Sequence, residues 1–268
     1  MATDERTMPF IKHLASSDRK TRTSALDTLR TFLSAPTTAR KLTDLDYLKL
    51  CKGLFYSVWM CDRPIPQQNL CADLADLVSI LPTPLDDECA AVIPFLRAFW
   101  ATLSREWTSI DVLRMEKYLL LVRRVFGSSL AWATNKKKGS NGKRWDNSRV
   151  DGMLKLLQEW PLEKTGDLSK VPVGLRLHVL DIWVDEAEKV ELLAELEDEK
   201  TFEDSVVLLD GLRRIVEVQA RSTCKPVRAR AKESLSDERL PWNAAGSSDE
   251  DITNEERDAQ DGWGGFDD

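Results

Sequence analysis

Arg114, Lys117 and Arg124 are spaced so that, at about 100° per residue, they fall within one narrow sector of a helix; Arg123, next in sequence to Arg124, is a further candidate cation. Cations arranged this way can neutralise phosphates or meet an acidic protein. A second basic group is Lys136, Lys137, Lys138, Lys143 and Arg144, interrupted by Gly139 and Gly142 and free of acids. It predicts a mobile loop over 135–148, which serves equally as a surface insertion or as a contact to RNA phosphates with release of counterions. Arg228 and Arg230 add a third cationic group near the end of the helical part. Trp59, Asp62 and Arg63 stand just before Pro64. They read first as a core aromatic with two charges capping a turn; if the aromatic is exposed they form a protein-docking anchor. Trp263 and Phe266, set among glycines and aspartates, form a second candidate docking element.

Catalytic chemistry has little to work with. The two histidines, His13 and His178, lie inside apolar helical patterns without a nucleophile or metal partner nearby in sequence. No phosphate-binding loop, nucleophile elbow or zinc spacing occurs. Asp86, Asp87 and Glu88 complement the positive end of a predicted helix. The expectation is therefore no catalytic set, no metal, no cofactor and no small-molecule substrate. Five cysteines, Cys51, Cys61, Cys71, Cys89 and Cys224, form no Cys-x-x-Cys pair and mostly sit in apolar stretches, so reduced thiols are expected.

The chain has 268 residues, 42% of them hydrophobic and 31% charged, within the range of soluble globular proteins. No run of about 18 uncharged apolar residues appears and the N-terminus lacks a secretion-signal core, so no membrane role and a cytosolic or nuclear site are expected. The net charge of -7 is unevenly divided: Ser236 to Asp268 holds eleven acids against Arg239 and Arg257, which leaves a mildly basic body.

Apolar residues recur at intervals of three and four, without sustained two-residue alternation, so the fold expected is all-α. Helices are predicted over 7–15, 19–34, 43–60, 65–81, 86–105, 109–126, 149–160, 173–196, 202–222 and 226–235. Ser17 or Asp18 can cap the second, Thr43 or Asp44 the third, and Thr201 with Asp204 resembles a capping box for the ninth. Pro94 falls inside the fifth and predicts a kink or a split. In the sixth, Val112, Met115, Leu119, Val122 and Phe126 with Leu113 and Leu120 predict burial on more than one side, the cations alone escaping it. About ten helices over roughly 230 residues place antiparallel pairs about 40–47 residues apart, the spacing of a HEAT/armadillo-like helical-repeat solenoid. The predicted organisation is a helical-repeat domain over 1–235 and an acidic, largely disordered tail over 236–268.

Two blocks carry a family resemblance. Trp107, Ile110, Asp111, Leu113, Arg114, Lys117, Leu121, Arg123 and Arg124 resemble a signature of the nucleolar ribosomal RNA processing protein 1 family, and Leu54 to Pro64 is similar to that family's Phe-Tyr-x-x-Trp-Met-x-Asp-Lys-Pro block. Val112 departs from the pattern, standing where a basic residue is expected, and Arg63 replaces the usual lysine. The resemblance implies a helical-repeat scaffold in nucleolar assembly of the large ribosomal subunit. It also implies binding to pre-ribosomal RNA and to other pre-60S assembly factors, a Brix-domain protein among them. The alternative is a general HEAT-type protein-interaction adaptor without an RNA role.

Overall fold

The computed structural model describes residues 8, 10–35, 37, 42–82, 89, 91–134, 145–193 and 202–243. Among these residues the secondary structure is helical apart from one isolated bridge between Thr134 and Trp145. The helices are α1 (Phe10–Leu14), α2 (Arg19–Ser34), α3 (Asp44–Trp59), α4 (Pro64–Ile80), α5 (Val92–Glu106), α6 (Val112–Ala133), α7 (Asn147–Glu159), α8 (Val173–Lys189), α9 (Phe202–Gln219) and α10 (Lys225–Leu235). A 3-10 turn, Trp107–Ser109, joins α5 to α6.

Local chemistry sets the boundaries. Asp18 accepts the Thr21 amide at 2.8 Å and starts α2; Thr43 and Asp46 exchange side-chain and backbone bonds in a full capping box at α3. Asp111 and Asp146 cap α6 and α7 in the same way. Pro64 opens α4 at its first position, where a missing amide hydrogen costs nothing. Pro94 makes no kink, because α5 begins at Val92 and the proline falls in its first turn, where amides have no partner inside the helix. The candidate caps Thr201 and Asp204, and the acids Asp86, Asp87 and Glu88, lie outside the described residues or side chains.

The helices form two layers. In one, α1, α3, α5, α7 and α9 pack side by side in order; in the other, α2, α4, α6, α8 and α10 do the same. Within a layer neighbours run parallel, as cross-contacts at matching heights show. Arg30 of α2 bonds Asp76 of α4, the Cys71 thiol meets the Lys117 carbonyl of α6, His178 of α8 meets Leu119 of α6, and Arg230 of α10 pairs with Asp181 of α8. All turns from the first layer to the second therefore lie on one edge of the stack. Between the layers Trp100, Trp145, Trp183, Tyr47 and Tyr118 are fully buried, and the core is continuous from Met8 to Leu240.

Expectations for the sixth helix are corrected. Helix α6 extends past residue 126 to Ala133, and its buried face is Tyr118, Leu121, Val122, Val125 and Phe126. Val112 and Leu113 are 88% and 93% exposed. Lys117, expected on a solvated ridge, is buried. Beyond residue 235, Leu240 is fully buried and Arg239 pairs with Asp185, Asp237 and Glu188. No helix among the described residues is long and apolar enough to cross a membrane.

The long connection from α7 to α8 is held by a buried ion pair. The Arg176 guanidinium donates to the Glu163 carboxylate at 3.1 Å and carbonyl at 2.7 Å, to the Asp167 carbonyl at 3.0 Å and to Gln219 of α9 at 3.2 Å. A buried charge is tolerable only when its donors are satisfied in this way. Burial works against charge on Glu163, but hydrogen bonds from Thr165, Arg176 and Asp167 outweigh it and hold its carboxyl at about 2, below the ordinary 4.5. The folded-state value lies below the unfolded one, so this stabilisation is complete above pH 4.5 and is lost as pH falls towards 2. Glu163→Gln is expected to lower stability at neutral pH and to flatten that acid limb when unfolding is followed by tryptophan fluorescence. An acid limb identical to that of the unaltered chain would contradict the assignment.

Candidate functional site

The end of α3 and the start of α6 meet in one cluster. Helix α3 stops before Pro64, leaving the Trp59 and Cys61 carbonyls free to accept. The Lys117 ammonium, 4% exposed as a residue, donates to both at 2.9 Å and lies 3.5 Å from the Asp62 carboxylate. A cation at a helix C-terminus satisfies orphan carbonyls and complements the dipole. Burial lowers the Lys117 pKa, opposed by Asp62. Gln67, in the first turn of α4, donates to the same Cys61 carbonyl at 2.7 Å. Three helices thus share one polar knot.

Aromatic packing surrounds it. Arg114 lies over the Trp59 ring, 4.7 Å from its centroid, and pairs with Asp111. The Tyr118 hydroxyl donates to the Phe55 carbonyl at 2.9 Å while its ring stacks on Phe55 at 4.6 Å. Burial pushes the Cys71 thiol up to about 12 and raises Tyr118 and Cys51 as well, so these groups stay neutral and serve as packing.

The remaining candidate cations have different surroundings. Arg123 reaches across to α8, bonding Asp185 at 2.6 Å and Glu186 at 2.7 Å. Glu186 in turn leans over Gly127 so closely that a Cβ there would meet its Oε2 at 2.5 Å. Arg228 donates to the Ser222 carbonyl at 2.6 Å, and Arg230 pairs with Asp181 and Glu233. Arg124 is exposed and makes no ion pair among the described residues. Trp59 is half-buried beneath Arg114, whereas Asp62 and Arg63 are exposed on the turn. The cations Lys136, Lys137, Lys138, Lys143 and Arg144 lie outside the described residues, as do Trp263 and Phe266. The structure therefore brings Arg114, Lys117, Trp59, Asp62 and Arg63 together and sets Arg123, Arg228 and Arg230 into separate ion pairs or caps.

Sequence reasoning missed Arg176, Glu163 and Gln219, and also Arg239 with its three carboxylates. Glu163 and Arg176 sit thirteen residues apart across an irregular connection, so no periodic signal links them. His178 was legible as a packed residue: its ring meets the Leu119 carbonyl at 2.8 Å, and burial lowers its pKa.

Comparison with known proteins places the chain in a family. Residues 5–263 match the family model described as "Nucleolar protein, Nop52". The chain belongs to the Nop52 family. Human ribosomal RNA processing protein 1 homolog B is 36% identical over 191 residues, covering 69% of this chain and 23% of the relative. The mouse homolog A is 35% identical over 181 residues, covering 67% and 34%, and the human homolog A is 32% identical over 206 residues, covering 76% and 40%. The matched region is thus less than half of each of these relatives.

Within this Nop52-family chain, the two blocks that carry the resemblance are the two sides of the Lys117 knot. Trp107 is buried beside Gly174, Asp111 is a cap, and Lys117 holds α3. Lys117→Met keeps the apolar stem and removes the ammonium, leaving the Trp59 carbonyl without its donor; a loss of about 1–3 kcal/mol is expected in urea unfolding. Asp62 is 78% exposed, so Asp62→Asn should cost less than about 1 kcal/mol. Equal losses for the two variants would contradict the capping role.

Proposed function

We propose that this chain is a non-catalytic scaffold in nucleolar pre-60S assembly. It acts in ribosomal RNA processing by holding other assembly factors and pre-ribosomal RNA in fixed relative positions. The observation that carries this reading is the family match over residues 5–263, joined to relatives whose names state ribosomal RNA processing. The two parallel layers support a HEAT/armadillo-like solenoid, which offers a long continuous surface rather than a closed cleft. A Brix-domain protein among the partners follows from the resemblance of the two sequence blocks.

RNA contact is assigned to cations not already engaged inside the protein. Arg124 qualifies on α6, and Thr134 and Trp145, which flank the basic segment from Lys136 to Arg144, meet at the C-terminal end of the same helix. Lys117 is spent on α3 and Arg123 on α8, so neither belongs to the RNA-contacting set. Phosphate contacts of this kind position RNA without reading its sequence.

The test is gradient sedimentation of the tagged full chain, with and without ribonuclease, alongside imaging. Nucleolar signal and ribonuclease-sensitive comigration with large-subunit precursors are expected. Changing Arg124, Lys136, Lys137, Lys138, Lys143 and Arg144 to glutamate should weaken RNA retention. It should also shrink the salt dependence of binding by about one in slope for each lost contact. A protein excluded from the nucleolus, whose sedimentation ignores ribonuclease, would overturn the reading in favour of a general HEAT-type adaptor.

A further inference from the structure

Exposed large apolar residues gather on the edge where first-layer helices turn into second-layer ones. Met60 and Ile65 flank the α3–α4 turn, Val112 and Leu113 open α6, Leu168 lies in the α7–α8 connection and Val218 in the last turn of α9. Ile65 is 72% exposed and Leu113 93%, far beyond what core packing leaves uncovered. A cavity of about 450 Å³ opens between α2 and α4, lined by Leu14, Leu26 and Leu70 and by polar side chains that include Arg19, Arg22 and Asp73.

The charges on the same edge are unequal in their freedom. Several of its carboxylates are paired with cations of the same chain: Glu106 with Arg105, Asp62 with Lys117, Asp111 with Arg114 and Glu163 with Arg176, whereas Glu116 is exposed and has no ion pair among the described residues. Arg19, Lys20, Arg63, Lys164, Arg221 and Lys225 are exposed, and their side chains have no partner among the described residues. Unpaired cations on this edge outnumber the carboxylates without a cationic partner, so its excess charge is positive.

We infer that this edge is the docking surface for a partner polypeptide segment in which aliphatic or aromatic anchors are interspersed with acidic residues. A nucleic acid fits less well. Phosphates gain nothing from Ile65, Val112 or Leu113, and two of the rings that could stack bases are approached by cations of the chain itself: Arg114 covers Trp59 and Lys170 lies 4.5 Å from the Trp160 ring centre. An acidic amphipathic segment satisfies both the apolar residues and the unpaired cations, the usual division between the core and rim of an interface. The inference rests on the scaffold reading and names the surface and partner chemistry through which it works.

The test places a photo-crosslinking residue in the full chain, Leu113→p-benzoylphenylalanine, with Lys52→p-benzoylphenylalanine as a control on α3. Crosslinks formed in cells are then identified by mass spectrometry across a sucrose gradient. Position 113, and not 52, should capture a polypeptide whose crosslinked segment is net acidic and carries leucine, isoleucine or phenylalanine. Adding Arg63→Glu, an exposed charge reversal, should cut that yield about tenfold. Capture of RNA, of a net basic segment, or solely of residues 244–268 of the same chain would overturn the inference, as would a yield indifferent to Arg63→Glu. If the acidic crosslink forms but the chain is absent from large-subunit precursor fractions, the scaffold reading fails and the docking edge stands. Comigration without the crosslink has the opposite meaning.

Discussion

A buried ammonium on the free carbonyls of a neighbouring helix sets the geometry of the N-terminal half of this protein. Helix α3 must stop where Pro64 follows, and its last carbonyls then face the interior rather than water. An unsatisfied buried carbonyl is costly, and a buried unpaired ammonium is costlier. Lys117 resolves both at once by donating to Trp59 and Cys61, and its own carbonyl accepts from the Cys71 thiol of α4. Because one side chain satisfies groups on the α3–α4 turn, the rotation and height of α6 are set by the end of another helix.

From that constraint the stack can be followed in both directions. Towards the N-terminus, Arg30 ties α2 to α4 through Asp76; towards the C-terminus, Arg123 ties α6 to α8, and Arg230 and Arg239 tie α8 to α10 and the segment after it. The parallel arrangement within each layer makes these links equivalent in form: a cation on one helix meets a carboxylate at similar height on the next. Exposed pairs of this kind contribute little individually, so the continuous apolar core between the layers supplies most of the stability. The pairs instead fix register. A stack built this way gathers its first-to-second-layer turns on one edge, and there the apolar side chains and unpaired cations are displayed.

Much of this was legible in the sequence. Helical periodicity, Asp18 and Thr43 as caps, and prolines between segments place most helices within a few residues of where they lie. The face of α6 was not legible. A helix covered on several sides has no single apolar stripe, so spacing could not show that Val112 and Leu113 are left outside while Lys117 goes in. Nor does a lysine in a basic run reveal that its long stem reaches the end of a helix 58 residues earlier in the chain. Family resemblance pointed to the right residues, but their shared role emerges only when α3 and α6 are seen together. The Arg176 cluster escaped for the same reason, since its partners come from a connection and from α9.

Amide hydrogen exchange on the Lys117→Met variant tests the central claim most directly. If the ammonium holds three helices in register, protection should fall together in the last turn of α3, the first turn of α4 and the first two turns of α6, while α8 and α10 keep theirs. Faster exchange confined to the neighbours of residue 117 along α6, with the end of α3 as protected as before, would contradict the account.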